Sequence, residues 1–126
     1  MTIEEILKLG PVMPVVTIDA AEHAVPLARA LVAGGVRAIE ITLRTAAGLA
    51  AIRAIAQAVP EAVPGAGTVL TGADLDAAAD AGAKFAVSPG ATRDLLAAAA
   101  SGALPYLPAI ATASELMARW RRGSRW

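Results

Sequence analysis

Cysteine is absent from the 126-residue sequence. This absence rules out a disulfide framework, a thiolate metal site and a cysteine nucleophile, and it is compatible with a reducing cytosol. Charged residues are also scarce, at 17% of the sequence, whereas 56% of the residues are hydrophobic. Such a chain must bury most of its aliphatic side chains or associate with a partner that covers them, so an intrinsically disordered protein is excluded.

The sequence also lacks an uninterrupted apolar run long enough for a membrane span. Its longest uncharged stretch, residues 95–114, contains Pro105 and Pro108 and is expected to fold as a helix end, a loop and a short strand. Glu4 and Glu5 stand where a secretory signal would carry basic residues. We therefore expect a cytoplasmic protein.

Charge is distributed unevenly, although the net charge is zero. Residues 1–118 carry seven Lys or Arg against eleven Asp or Glu, a balance of −4, and residues 119–126 carry four arginines. An Arg- and Trp-rich tail can contact nucleic acid or an anionic membrane, but the acidic body argues against a dedicated basic surface. We expect neither partner, and we interpret residues 119–126 as a non-native tail on a domain formed by residues 1–118.

Short apolar runs alternate with alanine-rich helical stretches along the chain, and Gly, Pro, Asp or Thr marks each junction. Asp19 and Glu22 are spaced as a capping box for the first long helix, although Pro26 should kink that helix or delay its start. Strands joined by crossover helices are parallel, so the fold class is α/β. The predicted strands are residues 12–18, 36–42, 62–66, 84–87 and 104–107, after a short leading helix at 3–9.

Two architectures share this alternation: an open doubly wound sheet and a segment of a (β/α)8 barrel. The first βα turn lacks the Gly-x-Gly-x-x-Gly loop of a dinucleotide site, and no acidic residue follows the glycines at 65 and 67 at the expected distance. A closed barrel needs roughly 200 residues. We therefore expect a partial TIM barrel of about five βα units with a short N-terminal helix.

Functional residues of such folds lie at the carboxyl ends of the strands. In the second predicted strand, alternation turns Glu40 and Thr42 to one face and Ile41 and Leu43 outward to the helices. A carboxylate inside an apolar barrel needs a partner or a proton, which makes Glu40 a candidate general acid/base. Alternatively, Glu40 and Arg44 form a structural ion pair that holds a loop.

Residues 35–45 (GVRAIEITLRT) are similar, position for position, to the active-site glutamate motif of the 2-keto-3-deoxy-6-phosphogluconate (KDPG) and 2-keto-4-hydroxyglutarate aldolases. The resemblance covers residues 2–118 and implies a class I aldolase, an aldehyde-lyase of Entner–Doudoroff carbohydrate metabolism that works through a Schiff base without metal or cofactor. Further similar segments, in the family's order, are residues 10–15, 23–28, 65–70, 85–90 and 114–117.

The resemblance also assigns roles to individual residues. Glu40 would transfer protons during carbinolamine dehydration and at the pyruvyl methyl carbon. Arg44 and Thr68 would bind the pyruvyl carboxylate, although the Thr68 hydroxyl could instead cap the following helix. The residues expected to line the pocket are Pro14, Thr42 and Pro89.

The chain departs from the family in its lysines. The family forms its imine on a lysine at the end of strand six, whereas this sequence contains only Lys8 and Lys84, which we expect to be solvated surface groups. The resemblance thus implies a C-terminally truncated KDPG aldolase, which would cleave a 2-keto-3-deoxy sugar acid phosphate to pyruvate and glyceraldehyde 3-phosphate but is inactive alone.

The alternative function is a non-catalytic barrel fragment that oligomerises or binds pyruvate. Unpaired edge strands favour pairing with another chain, so we expect a homo-oligomer or an aggregation-prone chain with a small 2-keto acid as its ligand. The apolar side chains expected to lack cover are Val15, Ile39, Ile41 and Phe85.

Overall fold

A computed structural model describes residues 1–120, so the last six residues of the predicted tail lie outside the described residues. Strands and helices alternate as the sequence predicts, but four of the five strands are shorter, and the third keeps its length and is shifted by one residue. The helices are α1 (Ile3–Leu7), α2 (Ala24–Ala33), α3 (Gly48–Ala58), α4 (Gly72–Asp80), α5 (Arg93–Ser101) and α6 (Ala113–Trp120). The strands are β1 (Val15–Val16), β2 (Ala38–Thr42), β3 (Val63–Gly67), β4 (Ala86–Ser88) and β5 (Tyr106–Pro108).

The start of α2 differs from the prediction. The capping box expected from Asp19 and Glu22 is wrong: a single 3-10 turn, Ala21–His23, precedes the helix and its first residues have no side-chain cap. The delay expected from Pro26 is confirmed, since Pro26 is the third residue of α2. Proline is tolerated there because the first backbone N–H groups of a helix have no intrahelical acceptor.

The five strands form one parallel sheet in the order β1-β2-β3-β4-β5. An open doubly wound sheet reverses its strand order at a switch point, whereas a barrel keeps neighbours in chain order. The order therefore confirms a segment of a (β/α)8 barrel. None of the helices within residues 1–120 has both the length and the hydropathy that crossing a bilayer requires.

Two apolar cores lie on opposite faces of the sheet. The outer core packs helices against the sheet and contains Ile39 and Ile41, both fully buried. The inner core lies at the amino edge, where Ile6 of α1 meets the Phe85 ring beside Ala38 and Val63. The expectation that Ile39, Ile41 and Phe85 lack cover is therefore wrong, because helices shield the first two and α1 shields the third.

Val15 differs from these three residues, because 58% of its side chain is exposed. It pairs with Glu40, so it lies on the inner face at the edge of the sheet. Here the expectation of missing cover is confirmed.

Phe85 is accommodated by a glycine in the neighbouring strand. An added Cβ at Gly65 would overlap the Phe85 ring. We expect Gly65→Ala to lower the free energy of unfolding by about 1–3 kcal/mol, the usual cost of overpacking a core. Urea denaturation measures the change, and Gly10→Ala, whose Cβ would meet only the Val12 carbonyl oxygen at 4.0 Å, is the control. Equal stability of the Gly65 and Gly10 variants would contradict this packing.

Candidate active site

Strand register brings the candidate residues to one edge of the sheet. Glu40 lies between Val15 of β1 and Gly65 of β3, and Thr42 lies beside Gly67. Thr68 directly follows Gly67, so it lies at the same carboxyl edge as Thr42. The sequence predicts that Glu40, Thr42, Arg44 and Thr68 meet at one end of the sheet with Pro14 and Pro89 nearby, and the strand register puts Thr42 and Thr68 at one edge, with Glu40 two residues before Thr42.

The Glu40 side chain lies across Gly67 on the inner face. Glu40 is 8% exposed. A Cβ added to Gly67 would overlap the Glu40 carboxyl oxygen Oε1 and would lie 2.7 Å from its Cγ. Since Gly67 pairs with Thr42, two residues beyond Glu40, the carboxyl group extends toward the carboxyl edge. A missing side chain in β3 thus makes the space in which the carboxyl group sits.

Burial raises the pKa of Glu40 above its ordinary value, and the positive charge of Arg44 partly opposes this rise. Arg44 is exposed, two residues past the end of β2. Desolvation outweighs the arginine charge, so the carboxyl group holds its proton to a higher pH than a solvated glutamate does. A raised pKa brings a carboxyl group closer to the range in which it can both donate and accept a proton.

Threonine hydroxyls fasten the loop that carries Arg44. Thr42 is fully buried, and its Oγ1 lies 3.1 Å from Oγ1 of Thr17, at the end of β1. The Thr45 hydroxyl donates to the Ile18 carbonyl oxygen at 2.5 Å. These contacts tie the ends of β1 and β2 together on both sides of Arg44.

Thr68 adopts a left-handed backbone conformation, with φ of 60°. A β-branched residue rarely does so, because its Cβ crowds the backbone at a cost of order 1–3 kcal/mol. Hydrogen bonds on both sides hold it there: Leu43 N–H donates to the Gly67 carbonyl oxygen at 2.8 Å, and Val69 N–H donates to that of Val87 at 3.1 Å.

The alternative role for Thr68, as a helix cap, is wrong. Thr71 caps α4, because its hydroxyl accepts from the Asp74 N–H at 3.1 Å and the Asp74 carboxylate accepts from the Thr71 N–H at 2.9 Å. The Thr68 side chain is half-buried.

The two candidate prolines lie at different levels of the sheet. Pro14 precedes β1 and is half-buried, and its carbonyl oxygen accepts from the Glu40 N–H at 3.0 Å. Pro89 is exposed and directly follows β4. Pro89 therefore lies at the carboxyl edge of the sheet, whereas Pro14 lies before β1 and is hydrogen-bonded to the backbone of Glu40.

Both lysines lie toward the amino edge. Lys8 is exposed at the end of α1, whose Ile6 packs into the inner core. Lys84 is exposed and precedes β4, and its backbone N–H donates to the Pro64 carbonyl oxygen at 2.8 Å. Within the described part of the chain, no group of three or more His, Asp or Glu side chains is arranged to hold a metal ion.

The sequence places Gly67 and Ser88 at the carboxyl ends of strands but assigns neither a role, and it does not single out Tyr106. Glycine inside a strand signals close approach of another group, so the Gly-x-Gly pattern of β3 could have pointed to the space that Glu40 occupies. The Ser88 and Tyr106 hydroxyls, 2.5 Å apart, belong to different strands, and no local pattern signals their contact.

The pKa of Glu40 predicts a pH-dependent cost to stability. Because the folded-state pKa lies above the unfolded value of 4.5, the folded state loses stability as the pH rises from 4.5 through the folded pKa. Glu40→Gln removes this loss, so the stability of the variant relative to the wild type should increase over that range. Urea denaturation at a series of pH values measures the difference.

Glu115→Gln is the matched control with the opposite sign. Hydrogen bonds from the Ala111 and Thr112 N–H groups lower the pKa of Glu115, so its contribution is present above pH 4.5 and is lost as the pH falls through its folded pKa. Its substitution should destabilise the chain near neutral pH. A difference of the same sign for both variants would contradict the desolvation of Glu40.

Similar sequences and folds occur in other proteins. The family model "KDPG and KHG aldolase" matches residues 3–125. A KHG/KDPG aldolase of Escherichia coli K12 is 58% identical over 114 residues, which are 90% of this chain and 54% of that protein. The crystal structure of a 2-keto-3-deoxy-6-phosphogluconate aldolase from Zymomonas mobilis ATCC 29191 superposes with a TM-score of 0.93 at 45% identity, over 98% of this chain and 59% of that one.

A third relative has a crystal structure that contains pyruvate. The KDPG aldolase of Legionella pneumophila, with pyruvate captured as a covalent carbinolamine, superposes with a TM-score of 0.90 at 41% identity, over 94% of this chain and 58% of that one. The chain spans about half the length of the curated relatives it matches. By sequence and by structure, it belongs to the KDPG and KHG aldolase family.

Proposed function

We propose that these residues supply the proton-transfer group and the carboxylate site of a class I aldolase that cleaves KDPG to pyruvate and glyceraldehyde 3-phosphate. The observation that carries this proposal is the buried Glu40 carboxyl group, with its raised pKa, lying across Gly67 beside the strained Thr68. Perturbed carboxyl groups and backbone strain both concentrate at functional sites.

In the proposed reaction a lysine amine attacks the substrate ketone and forms a carbinolamine. Glu40 in its protonated form gives a proton to the departing hydroxyl group, and loss of water leaves the imine. Glu40, now ionised, takes the proton of the C4 hydroxyl group as the C3–C4 bond breaks, which releases glyceraldehyde 3-phosphate and leaves an enamine. The protonated carboxyl group then gives this proton to the terminal carbon of the enamine to form the pyruvyl methyl group, and water hydrolyses the resulting imine to release pyruvate. A carboxyl group whose pKa is raised by burial is suited to these proton transfers.

Arg44 and Thr68 are proposed to bind the pyruvyl carboxylate. The exposed guanidinium of Arg44 supplies a cation with a planar set of donors, which matches a carboxylate. Thr68 lies immediately after Gly67, against which the Glu40 side chain rests. A carboxylate held between Thr68 and Arg44 would therefore lie next to the proton-transfer group.

The imine lysine must come from outside these 126 residues, because Lys8 and Lys84 are exposed toward the edge opposite Thr68. A lysine that forms an imine must be desolvated beside its substrate, and neither of these two exposed lysines is. We propose that the 126 residues alone form no imine.

The second candidate function is an assembly module that retains a pyruvate site. The observation that favours it is the exposure of Val15 on β1, a two-residue edge strand of the described sheet. Backbone donors and acceptors on an edge strand, together with exposed apolar side chains, promote pairing with another copy. In this case the chain forms homo-oligomers and performs no chemistry.

A chimeric aldolase tests the first function. Residues 1–118 of this chain would replace the matching part of the Escherichia coli relative, so that the rest of the barrel completes the enzyme. We expect the chimera to cleave KDPG and Glu40→Gln to lower kcat by about 10²- to 10⁴-fold, the usual contribution of general acid/base catalysis. Thr68→Val should act mainly by raising KM, since it removes a binding hydroxyl group.

Glu61→Gln is the matched control in the chimera, because Glu61 is exposed just before β3, away from the carboxyl edge. Its kinetic constants should match those of the parent. An inactive but folded chimera, or equal activity of the Glu40 and Glu61 variants, would refute the proposed function.

Borohydride trapping of the 126-residue chain with pyruvate tests whether the chain forms an imine by itself. Both candidate functions predict that it does not, whereas an enzyme active by itself would form one. We expect no mass increase on the intact chain, since neither lysine is desolvated. Light scattering on the same sample should show species larger than a monomer. A trapped adduct that disappears in Lys84→Ala or Lys8→Ala would show that one of these lysines does form the imine.

A further inference from the structure

Three polar groups form a chain of hydrogen bonds between β4 and β5. The Ser88 hydroxyl donates to the Gly90 carbonyl oxygen at 2.5 Å, and the Tyr106 hydroxyl oxygen lies 2.5 Å from Ser88 Oγ. A hydroxyl group has one proton to donate. With the Ser88 proton given to Gly90, Tyr106 is the donor to Ser88, and the Tyr106 hydroxyl also lies 3.5 Å from the Gly90 carbonyl oxygen, so both hydroxyl groups reach Gly90.

Side-chain packing contributes little to holding the turn at residues 88–90, where this series of hydrogen bonds ends. A Cβ added to Gly90 would meet no atom within 4 Å, and Pro89 is exposed. Ser88, by contrast, is 1% exposed. The hydroxyl groups of buried Ser88 and half-buried Tyr106 therefore restrain residues 88–90, and burial raises the pKa of Tyr106.

The same end of β4 supports the strained residue of the candidate site. The Val87 carbonyl oxygen accepts from the Val69 N–H at 3.1 Å, one residue beyond Thr68. The Ser88 carbonyl oxygen accepts from the Ala109 N–H at 2.9 Å and so ties this end of β4 to β5. A shift of the β4 end would release Val69, and with it one of the two hydrogen bonds that flank Thr68.

We propose that Tyr106 and Ser88 are positioning residues, whose hydrogen-bonded hydroxyl groups fix the end of β4 and thereby hold Thr68 in its left-handed conformation. The inference deepens the proposed function, since the substrate carboxylate is assigned there to Thr68 and Arg44. Neither hydroxyl group touches the substrate; both act through the backbone of β4.

The first test is residue-resolved hydrogen exchange on the 126-residue chain, by NMR or by fragmentation mass spectrometry. Tyr106→Phe and Ser88→Ala should each speed exchange at the Val69 and Ala109 amides by about fivefold, roughly the effect of one hydrogen bond. The double variant should equal the single variants, because either substitution breaks the same chain of bonds.

An internal reference separates positioning from general destabilisation. The Val63 amide donates to the Arg37 carbonyl oxygen at 2.8 Å, at the amino end of β3, and its exchange should not change. Ser101→Ala is the matched variant: the hydroxyl of exposed Ser101 also donates to backbone carbonyl oxygens, at the end of α5. Equal acceleration at Val63 and Val69, or none at Val69, would overturn the inference.

The second test uses the chimeric aldolase. Tyr106→Phe and Ser88→Ala should raise KM for KDPG by about fivefold and change kcat by less than about twofold, whereas Ser101→Ala should change neither. A loss confined to kcat would overturn the inference. Hydrogen exchange judges the positioning even if the parent chimera is inactive, so failure of the proposed function and failure of the inference are distinguished.

Discussion

The Glu40 carboxyl group lies on the inner face of a parallel sheet, and the surrounding structure is arranged to admit it. A buried carboxyl group pays for lost hydration either with a partner or with a proton, and here Arg44 acts only partly against burial. Space comes from Gly67, since any side chain at that position would overlap the carboxyl group. Strands β2 and β3 thus form this part of the site together: β2 supplies the carboxyl group, and β3 leaves space for it because Gly67 has no side chain.

The inner face is divided along the strand direction. At the amino edge, α1 and the Phe85 ring form a closed apolar plug, and Gly65 leaves room for that ring. Two residues farther along β3, Gly67 leaves room for Glu40. Because side chains alternate along a strand, both glycines lie on the inner face of the sheet. Gly65 lies in the apolar half of this face, next to Phe85, and Gly67 lies in the polar half, next to Glu40.

Because the strands are parallel, the sequence could predict which residues share the carboxyl edge of the sheet. It could not predict which side chains contact one another there. Carboxyl ends of successive parallel strands meet at one edge, so Glu40, Thr42 and Thr68 could be grouped from the sequence. The contact of Glu40 with Gly67 depends on the register that pairs Thr42 with Gly67, which periodicity does not fix. The same uncertainty about faces led to the wrong assignment of Ile39 and Ile41 as uncovered.

The start of α2 and the position of Pro64 show that local sequence patterns do not fix local structure. The spacing of Asp19 and Glu22 satisfies a capping rule, yet the 3-10 turn at Ala21–His23 postpones the helix. Pro64 sits within β3 although proline removes a ladder donor. Its carbonyl oxygen faces Lys84, which precedes β4, so the missing N–H falls where β4 has not begun and no ladder bond is lost.

Thr68 shows how the carboxyl edge behaves as one unit. Its strained backbone persists only because hydrogen bonds from β2 and to β4 flank it, and β4 is in turn tied to β5. A glycine at this position would relieve the strain but would remove the hydroxyl group and loosen the backbone. The left-handed conformation of Thr68 is therefore maintained by hydrogen bonds among the ends of β2, β3, β4 and β5. The geometry of the candidate carboxylate site depends on residues as distant in sequence as Leu43 and Tyr106.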